Sequence, residues 1–357
     1  MRIYYSNRFV LPLPSGHRFP MEKYRHLRDR VRRSRECRNA ELLVPPPASD
    51  DQLRRVHRYD YLRKVVEGRL TPPEVRRLGF PWSPELVERS RQSVGGTIEA
   101  GASALREGLS VNLAGGTHHA FPGRGEGFCV FNDVAVAVRE LRARGTLKRA
   151  AVVDLDVHQG NGTADIFRND PATFTLSVHG DRNFPFQKEP SDLDLPLPDG
   201  AGDEAFLEAV RHGVETILER PKPDLVFYLA GADAFRDDRL GRLNVSRAGL
   251  AEKDEIVLGS FHDRGIPVAI VMAGGYAREV ADTVAIHLNS VETAARLMRE
   301  KRMALDRSPV GLRRDPQSRE GRIGGDVESA IPRRMARAER SRRVDPSLRH
   351  PLRPPHA

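Results

Sequence analysis

The stretch 149–162, RAAVVDLDVHQGNG, joins an apolar, β-branched run to three side chains that could bind a metal. Asp154, Asp156 and His158 are spaced two residues apart, so on a strand all three leave the same face. Two carboxylates this close repel each other unless a cation lies between them. Zinc or ferrous iron suits such oxygen and nitrogen donors. The spacing alone also allows a buried aspartate that caps a helix beside an unrelated histidine.

The segments around this stretch alternate between strands and helices from residue 109 onward. Candidate strands cover residues 1–5, 110–114, 149–155, 173–178, 224–230 and 267–273. Candidate helices cover residues 21–39, 49–64, 83–105 with an interruption at Gly95 and Gly96, 132–144, 202–218, 246–264 and 280–300. Continuous apolar strands separated by helices predict an α/β protein with a parallel sheet covered on both faces.

Five of these strands lead into a side chain with useful chemistry, at the carboxyl end where open parallel sheets bind ligands. These side chains, in chain order, are His118 and His119, Asp156 and His158, Ser177 and His179, Asp233, and Tyr276. A catalytic zinc ion usually has three protein ligands and an open position. Asp233 is the best third ligand, because the small residues Gly231 and Ala232 let an ion approach. The adjacent His118 and His119 are better suited to proton transfer beside the metal.

The net charge of +9 is concentrated near the carboxyl terminus. Residues 301–357 hold 15 Lys and Arg against 7 Asp and Glu, so the preceding 300 residues are close to neutral. This Arg- and Pro-rich segment has few large apolar residues and is predicted to be a mostly disordered tail. Its basic stretch 333–343 is compatible with nucleic acid or another polyanion, but a solvated extension is the favoured interpretation.

The cysteine content and the lengths of the apolar runs indicate the cellular compartment of the protein. Cys37 and Cys129 are the only cysteines, too few for a disulfide framework, which favours a reducing cytoplasm. The first residues lack the apolar core of a signal peptide. No run reaches the ~20 apolar residues of a membrane helix. We therefore expect a cytoplasmic protein without a membrane segment.

The chain resembles the zinc-dependent histone deacetylase and acetoin-utilisation superfamily over residues 1 to about 300. The motifs that carry the resemblance are GGTHHAFPGRGEGFCVFNDVAVA, VVDLDVHQGNGTA, LAGADAFRDDRLGRLNVS and MAGGY. The segments LPLPSGHRFPMEKYRHLRDR and NFPFQKEPSDLDLPLPDGAGDEAF look most like the class IV branch and its bacterial relatives. The resemblance implies an arginase-deacetylase fold, with a central parallel sheet of about eight strands between helices, and a deacetylase catalytic domain at residues 1–300.

The resemblance also implies a role for each site residue. The zinc ligands would be Asp156, His158 and Asp233. His119 would be the general base, with His118 as its electrostatic partner on Asp154, and Tyr276 would donate to the substrate carbonyl. Residues that would contact the substrate are Gly127, Phe128, Phe184, Gly274 and Gly275. A potassium ion would lie near the zinc, at Asp154, Ser177 and Val178.

Asn161 departs from one branch of this family. Class I enzymes carry an aspartate here as the partner of the second histidine. Asn161 matches the other classes, and a neutral amide leaves open what supports the basicity of His119. The segment 75–90 also lacks an obvious aspartate that could grip a peptide backbone at the channel rim.

The activity that the resemblance implies is hydrolysis of an acyl-amide, most simply the N-ε-acyl-lysine of a protein. An acetylated polyamine and a lysine that carries a long acyl chain are alternative substrates. Zinc is the expected metal, with ferrous iron as the alternative. A non-catalytic acyl-lysine binding scaffold would normally have lost a ligand or the tyrosine. An arginase-like ureohydrolase would need a second metal, for which the strand ends carry too few aspartates.

Overall fold

A parallel β-sheet forms the centre of the protein. The structure is a computed structural model that describes residues 1–6, 11–220 and 222–307, with side chains through residue 304. Within these residues the strands are β1 (Arg2–Tyr4), β2 (Glu41–Leu43), β3 (Leu109–Asn112), β4 (Ala150–Asp154), β5 (Thr173–Gly180), β6 (Leu193–Leu197), β7 (Leu225–Leu229) and β8 (Val268–Val271). They form one eight-stranded sheet in the order β2-β1-β3-β8-β7-β4-β5-β6, and all neighbours are parallel.

Helices cover both faces of this sheet. They are α1 (Lys23–Arg33), α2 (Asp50–Leu53), α3 (Tyr59–Val66), α4 (Pro72–Leu78), α5 (Pro84–Glu107), α6 (Asp133–Ala143), α7 (Asn161–Phe167), α8 (Asp203–Leu218), α9 (Arg247–Asp263) and α10 (Val280–Arg307). Apolar side chains of α1, α8, α9 and α10 form the core on one face, and those of α3, α5 and α6 form the core on the other. The prediction of an α/β fold with a doubly covered sheet of about eight strands is confirmed.

The central strand β4 shows why the sequences of the central strands are continuous apolar runs. Ala151 and Val153 belong to one core, whereas Ala150 and Val152 belong to the other. Successive side chains on a strand point to opposite faces, so a strand with both faces covered needs apolar residues at every position. The strand ends at Asp154, which is in register with neighbours on both β5 and β7. The carboxyl ends of β4 and β7 therefore lie side by side, while β5 continues to Gly180.

Several element boundaries differ from the sequence-based prediction. The predicted helix 49–64 is two helices, α2 and α3, separated by a turn that contains His57. Helix α5 runs without a break through Gly95 and Gly96. A Cβ on Gly95 would lie 1.9 Å from the carbonyl oxygen of Pro46, and one on Gly96 would lie 2.8 Å from the Asn112 side chain. These glycines allow close packing and do not end the helix.

Four elements were not predicted: α4, α7, β2 and β6. The two strands have three and five residues, and β6 contains Pro196 in a half-exposed sequence, LDLPL, at one edge of the sheet. Proline is tolerated at such an edge because it cannot donate a hydrogen bond to the ladder. Such short, partly polar segments carry little periodic signal.

The predicted tail lies mostly outside the described residues. Helix α10 continues to Arg307, beyond the predicted end of that helix at residue 300. From residue 308 onward, the predicted disorder and the basic stretch 333–343 fall outside the described part of the chain. Among the described helices, none is both long and apolar enough to cross a membrane.

Candidate active site

Three predicted ligands, Asp156, His158 and Asp233, converge where β4 and β7 end. The first two follow β4 and the third follows β7, which is paired with β4. All three are buried, and one ligand atom of each lies within 4.8 Å of the others. His158 Nδ1 is 2.9 Å from Asp156 Oδ1 and 3.2 Å from Asp233 Oδ2. Two adjacent loops thus place two carboxylates and one imidazole around a single point.

Backbone amides hold both carboxylates in place. The amide of Val157 donates to Asp233 Oδ1 at 2.9 Å, and the amide of Gly274 donates to Asp156 Oδ2 at 2.6 Å. A Cβ on Gly274 would lie 1.9 Å from Asp233 Oδ2 and 2.5 Å from Asp156 Oδ2. The carboxylates therefore pack against a backbone that only glycine permits, and any side chain here would enter the space between them.

The electrostatics of this cluster fit a bound cation. Burial and the nearby Asp156 carboxylate raise the pKa of Asp233. Burial lowers the pKa of His158, but the hydrogen bonds to Asp156 and Asp233 outweigh it and raise that pKa to about 10. Two buried carboxylates thus draw positive charge onto the imidazole between them. A divalent ion would supply that charge, and two oxygen donors with one nitrogen donor suit zinc or ferrous iron.

The tandem histidines have different partners and different charge states. His118 Nδ1 lies 2.6 Å from Asp154 Oδ2, and His119 Nδ1 lies 2.8 Å from Asn161 Oδ1. Burial lowers the pKa of His118, but Asp154 and Asp156 raise it to about 9. Burial, followed by the positive charges of His118 and His158, holds the pKa of His119 well below its usual value. At neutral pH one ring is protonated and the other is a free base, an arrangement that suits acid–base catalysis.

Tyr276 completes the pocket beside the three ligands. Its ring centroid is 6.2 Å from that of His158 and 6.1 Å from that of Phe128. Burial raises the pKa of its hydroxyl, which therefore stays protonated and can donate a hydrogen bond. The pocket is lined by Phe19, Tyr24, Arg89, Ser93, Gly115, Gly116, Thr117, His118, His119, Gly127, Phe128, Cys129, Asp156, His158, Ala273, Gly274 and Tyr276.

Aromatic rings surround the predicted substrate path. Phe184 meets His119 edge-on at 4.9 Å between centroids. A Cβ on Gly127 would lie 2.6 Å from the His119 ring and 3.1 Å from the Phe184 ring, so the backbone of Gly127 approaches both closely. Phe128 has a φ of 66° and packs against Phe19 at 5.3 Å. The structure therefore places Gly127 and Phe184 against His119, and Phe128 in the lining of the same pocket.

The residues predicted for a potassium ion lie on β4, which leads into the cluster, and on the neighbouring strand β5. Asp154 of β4 is in register with Ser177 of β5, and Val178 follows Ser177 in the same strand. Asp154 Oδ1 accepts from the amide of Asp156, and Ser177 Oγ lies 3.0 Å from His179 Nδ1. Gly275 adopts a φ of 150° in the turn that carries Tyr276. These residues share the carboxyl edge of the sheet.

Two buried lysines support the site, and sequence reasoning did not identify them. Lys23 is 2% exposed and donates to the carbonyls of Ala273 and Gly275, both at 3.3 Å. Lys253 is fully buried and donates to the carbonyl of Gly231 at 2.8 Å. The helical spacing could have indicated that Lys23 is buried, since Lys23 lies on the apolar face of α1 with Leu27, four residues later. A lysine on an apolar face is rarely buried without partners.

Glu126 is a further residue beside the site that the sequence did not reveal. Its carboxylate accepts from Asn161 Nδ2 at 2.7 Å and from Arg124 Nε at 3.3 Å. It lies in the glycine-rich stretch GRGEG, which has no periodicity that could show which way its side chain points. Only the packing of this turn against the amino end of α7 reveals the contact.

Comparison with known proteins agrees with this geometry. The family model of the histone deacetylase domain matches residues 17–291. An uncharacterized protein of Picosynechococcus sp. is 46% identical over 285 residues, covering 80% of this chain and 95% of its own length. Histone deacetylase 2 of Arabidopsis thaliana is 30% identical over 267 residues, covering 71% of this chain and 67% of its own.

A solved structure shows the same architecture. The crystal structure of a histone deacetylase homologue from Aquifex aeolicus superposes with a TM-score of 0.69 at 25% identity, covering 84% of this chain and 88% of the homologue. Sequence family, sheet topology and site geometry lead to the same assignment. The chain belongs to the histone deacetylase and acetoin-utilisation superfamily and is a hydrolytic deacetylase with the arginase-deacetylase fold.

Proposed function

We propose that this deacetylase hydrolyses N-ε-acyl-lysine side chains of proteins and uses one zinc ion, with ferrous iron as the alternative metal. Asp156, His158 and Asp233 would hold the ion. When bound there, a divalent ion polarises a carbonyl and lowers the pKa of water. The observation that carries the proposal is the convergence of these three ligands, the unprotonated His119 and the protonated Tyr276 hydroxyl on one buried pocket.

The histidine pair would handle the protons. His119 is a free base whose Nδ1 is occupied by Asn161, so its Nε2 accepts the proton of the attacking water. His118 carries positive charge next to Asp154 and stabilises negative charge that develops nearby. A protonated histidine of the pair then donates to the lysine amine as it leaves. General acid–base catalysis of this kind accelerates reactions by about 10²–10⁴-fold.

Tyr276 would stabilise the oxygen that becomes negative as water adds to the carbonyl. Its protonated hydroxyl donates a hydrogen bond that strengthens in the transition state, a type of contact worth about 3 kcal/mol. The carbonyl of Gly127 would accept from the substrate amide, and Phe128 and Phe184 would flank the acyl-lysine chain, with the turn at Gly274 and Gly275 on the opposite wall. A potassium ion at Asp154, Ser177 and Val178 would be structural. We expect the protein in the cytoplasm, since both cysteines are unpaired.

A substrate panel tests this proposal. Peptides with acetyl-, propionyl- and myristoyl-lysine, together with acetylpolyamines, are assayed with zinc-loaded wild type and with the D156A and Y276F variants. We expect cleavage of acyl-lysine peptides, loss of metal and activity in D156A, and a kcat about 100-fold lower in Y276F. Wild-type turnover by Y276F would refute the role of the tyrosine. Cleavage of acetylpolyamines alone would refute the substrate class.

A further inference from the structure

The ring of His119 is connected to a carboxylate through a single intervening amide. His119 Nδ1 is 2.8 Å from Asn161 Oδ1, and Asn161 Nδ2 donates to Glu126 Oε1 at 2.7 Å. Both distances are typical of well-formed hydrogen bonds. The Glu126 side chain is only 12% exposed, so water screens this contact weakly. Glu126 directly precedes Gly127, whose backbone packs against the same histidine ring.

The direction of each hydrogen bond in this chain is determined by chemistry. An ionised carboxylate only accepts, so the amide nitrogen of Asn161 must face Glu126. The amide oxygen then faces His119, and it also accepts from the backbone amide of Gly162 at 3.0 Å. His119 Nδ1 must therefore carry a proton. The lone pair of the ring is left on Nε2, as a general base requires.

The charge on Glu126 affects the same ring. The His119 ring lies 4.1 Å, between ring centroids, from the second histidine, His118, and its Nδ1 contacts the neutral amide of Asn161. Asn161 by itself offers only a neutral dipole to the imidazolium that forms when the ring takes up a proton. A carboxylate at the far end polarises the amide, because hydrogen bonds in a chain strengthen one another in a poorly solvated site. An aspartate at position 161 would place a negative charge directly against His119. Here the negative charge is on Glu126, on the far side of Asn161.

We propose that Glu126 is a positioning residue for the general base: through Asn161 it orients the amide and stabilises His119 as that ring takes up a proton. This inference rests on the proposed role of His119. It explains how a chain with asparagine at position 161 supports a basic histidine. The competing explanation is that Glu126 only holds its own turn through its ion pair with Arg124.

Steady-state kinetics separate these two explanations. E126Q removes the charge and keeps the size of the side chain, and R124Q removes the ion pair but keeps the contact between Glu126 and Asn161. E189Q is the matched control, because Glu189 is a partly exposed carboxylate that pairs with Arg168. We expect kcat of E126Q to fall about 10-fold with KM within twofold, and both other variants to stay within twofold of wild type. Equal losses in E126Q and R124Q would overturn the inference.

A double-mutant cycle with N161D predicts a change of sign. N161D replaces the amide with one carboxylate, which places one oxygen against His119 and the other against Glu126, so the acids at positions 161 and 126 repel each other. In that background E126Q replaces repulsion with an amide that donates to the new carboxylate. We therefore expect E126Q to lower kcat/KM in the wild-type background and to raise it in the N161D background. A similar loss in both backgrounds would show that Glu126 acts only on the fold of its turn.

A spectroscopic measurement tests the same chain without turnover. Protein labelled with ¹⁵N-histidine is compared with H119Q to assign the Nδ1–H proton of His119, in metal-free and zinc-loaded samples. We expect E126Q, but not E189Q, to move this resonance upfield, because the hydrogen bond to Asn161 weakens. An unchanged resonance would refute the inference. Retained activity in H119Q would instead refute the proposed base, so the two failures are distinguishable.

Discussion

Substituting Gly274 with alanine adds one methyl group at the most crowded point of the site. The new Cβ would lie 1.9 Å from Asp233 Oδ2 and 2.5 Å from Asp156 Oδ2. Neither oxygen can move freely, because the amide of Val157 anchors Asp233 and the amide of Gly274 itself anchors Asp156. We expect G274A to fold and to lose the metal site.

The size of the effect follows from these distances. A carbon–oxygen contact relaxes at roughly 3.3 Å, so the Asp233 oxygen must retreat by roughly 1.4 Å. Metal–ligand distances tolerate only about 0.2 Å. A ligand displaced this far is lost to the ion, whereas disturbing an outer hydrogen bond costs about 10–100-fold in affinity. We therefore expect zinc affinity to fall by at least about 100-fold.

The assay is a zinc titration against a chromogenic chelator, together with urea unfolding of the metal-free protein. G259A is the matched control, since it makes the same chemical change in α9, where a Cβ would meet nothing within 4 Å. Alanine is the better helix former, so G259A should gain about 0.5–1 kcal/mol of stability and bind zinc normally. Zinc affinity of G274A within threefold of wild type would refute the reasoning.

Three further substitutions test other parts of the structure. K253M leaves the buried Asp254 without its cation, and we expect the free energy of unfolding in urea to fall by about 3 kcal/mol. This is the low end for a broken buried ion pair, because three other side chains still donate to the Asp254 carboxylate. A loss below about 1 kcal/mol would contradict this prediction. Burial lowers the pKa of His57 to about 4, so its stabilising effect is complete above pH 6.5 and declines by about 3 kcal/mol as the pH falls to 4. In H57Q the free energy of unfolding should depend less on pH over that range. If wild type and H57Q showed the same pH dependence, His57 would not be the group responsible. Phe186 is 89% exposed and lies beside Phe184, so F186A should change the free energy of unfolding by no more than about 0.5 kcal/mol. The same substitution should raise KM several-fold for acyl-lysine peptides but not for free acyl-lysine. An unchanged KM for the peptides would exclude Phe186 from the peptide-binding rim.

Much of the fold could be predicted because burial imposes a simple pattern on a chain. Strands β4, β7 and β8 are covered on both faces, so their residues are apolar apart from Asp154 at the end of β4. Gly202 and Ser246 mark the starts of α8 and α9, where they are the N-cap residues. The short edge strands β2 and β6 escaped prediction, because an edge strand is only half covered and its pairing depends on distant residues. The glycines of α5 misled for a related reason. Their role is contact with Pro46 and Asn112, which no local pattern records.

The amino-acid sequence by itself determined which side chains reach the carboxyl edge of the sheet, since strand periodicity and the parallel-sheet rule place Asp156, His158 and Asp233 there. Only the tertiary structure decided which of them meet, because β4 and β7 are neighbours although their carboxyl ends, Asp154 and Leu229, are 75 positions apart in the chain. It also decided the supporting contacts of Glu126 and Lys253. Side-chain direction in an irregular turn and the partners of a buried charge depend on what packs against them from elsewhere in the chain, and that information is not local.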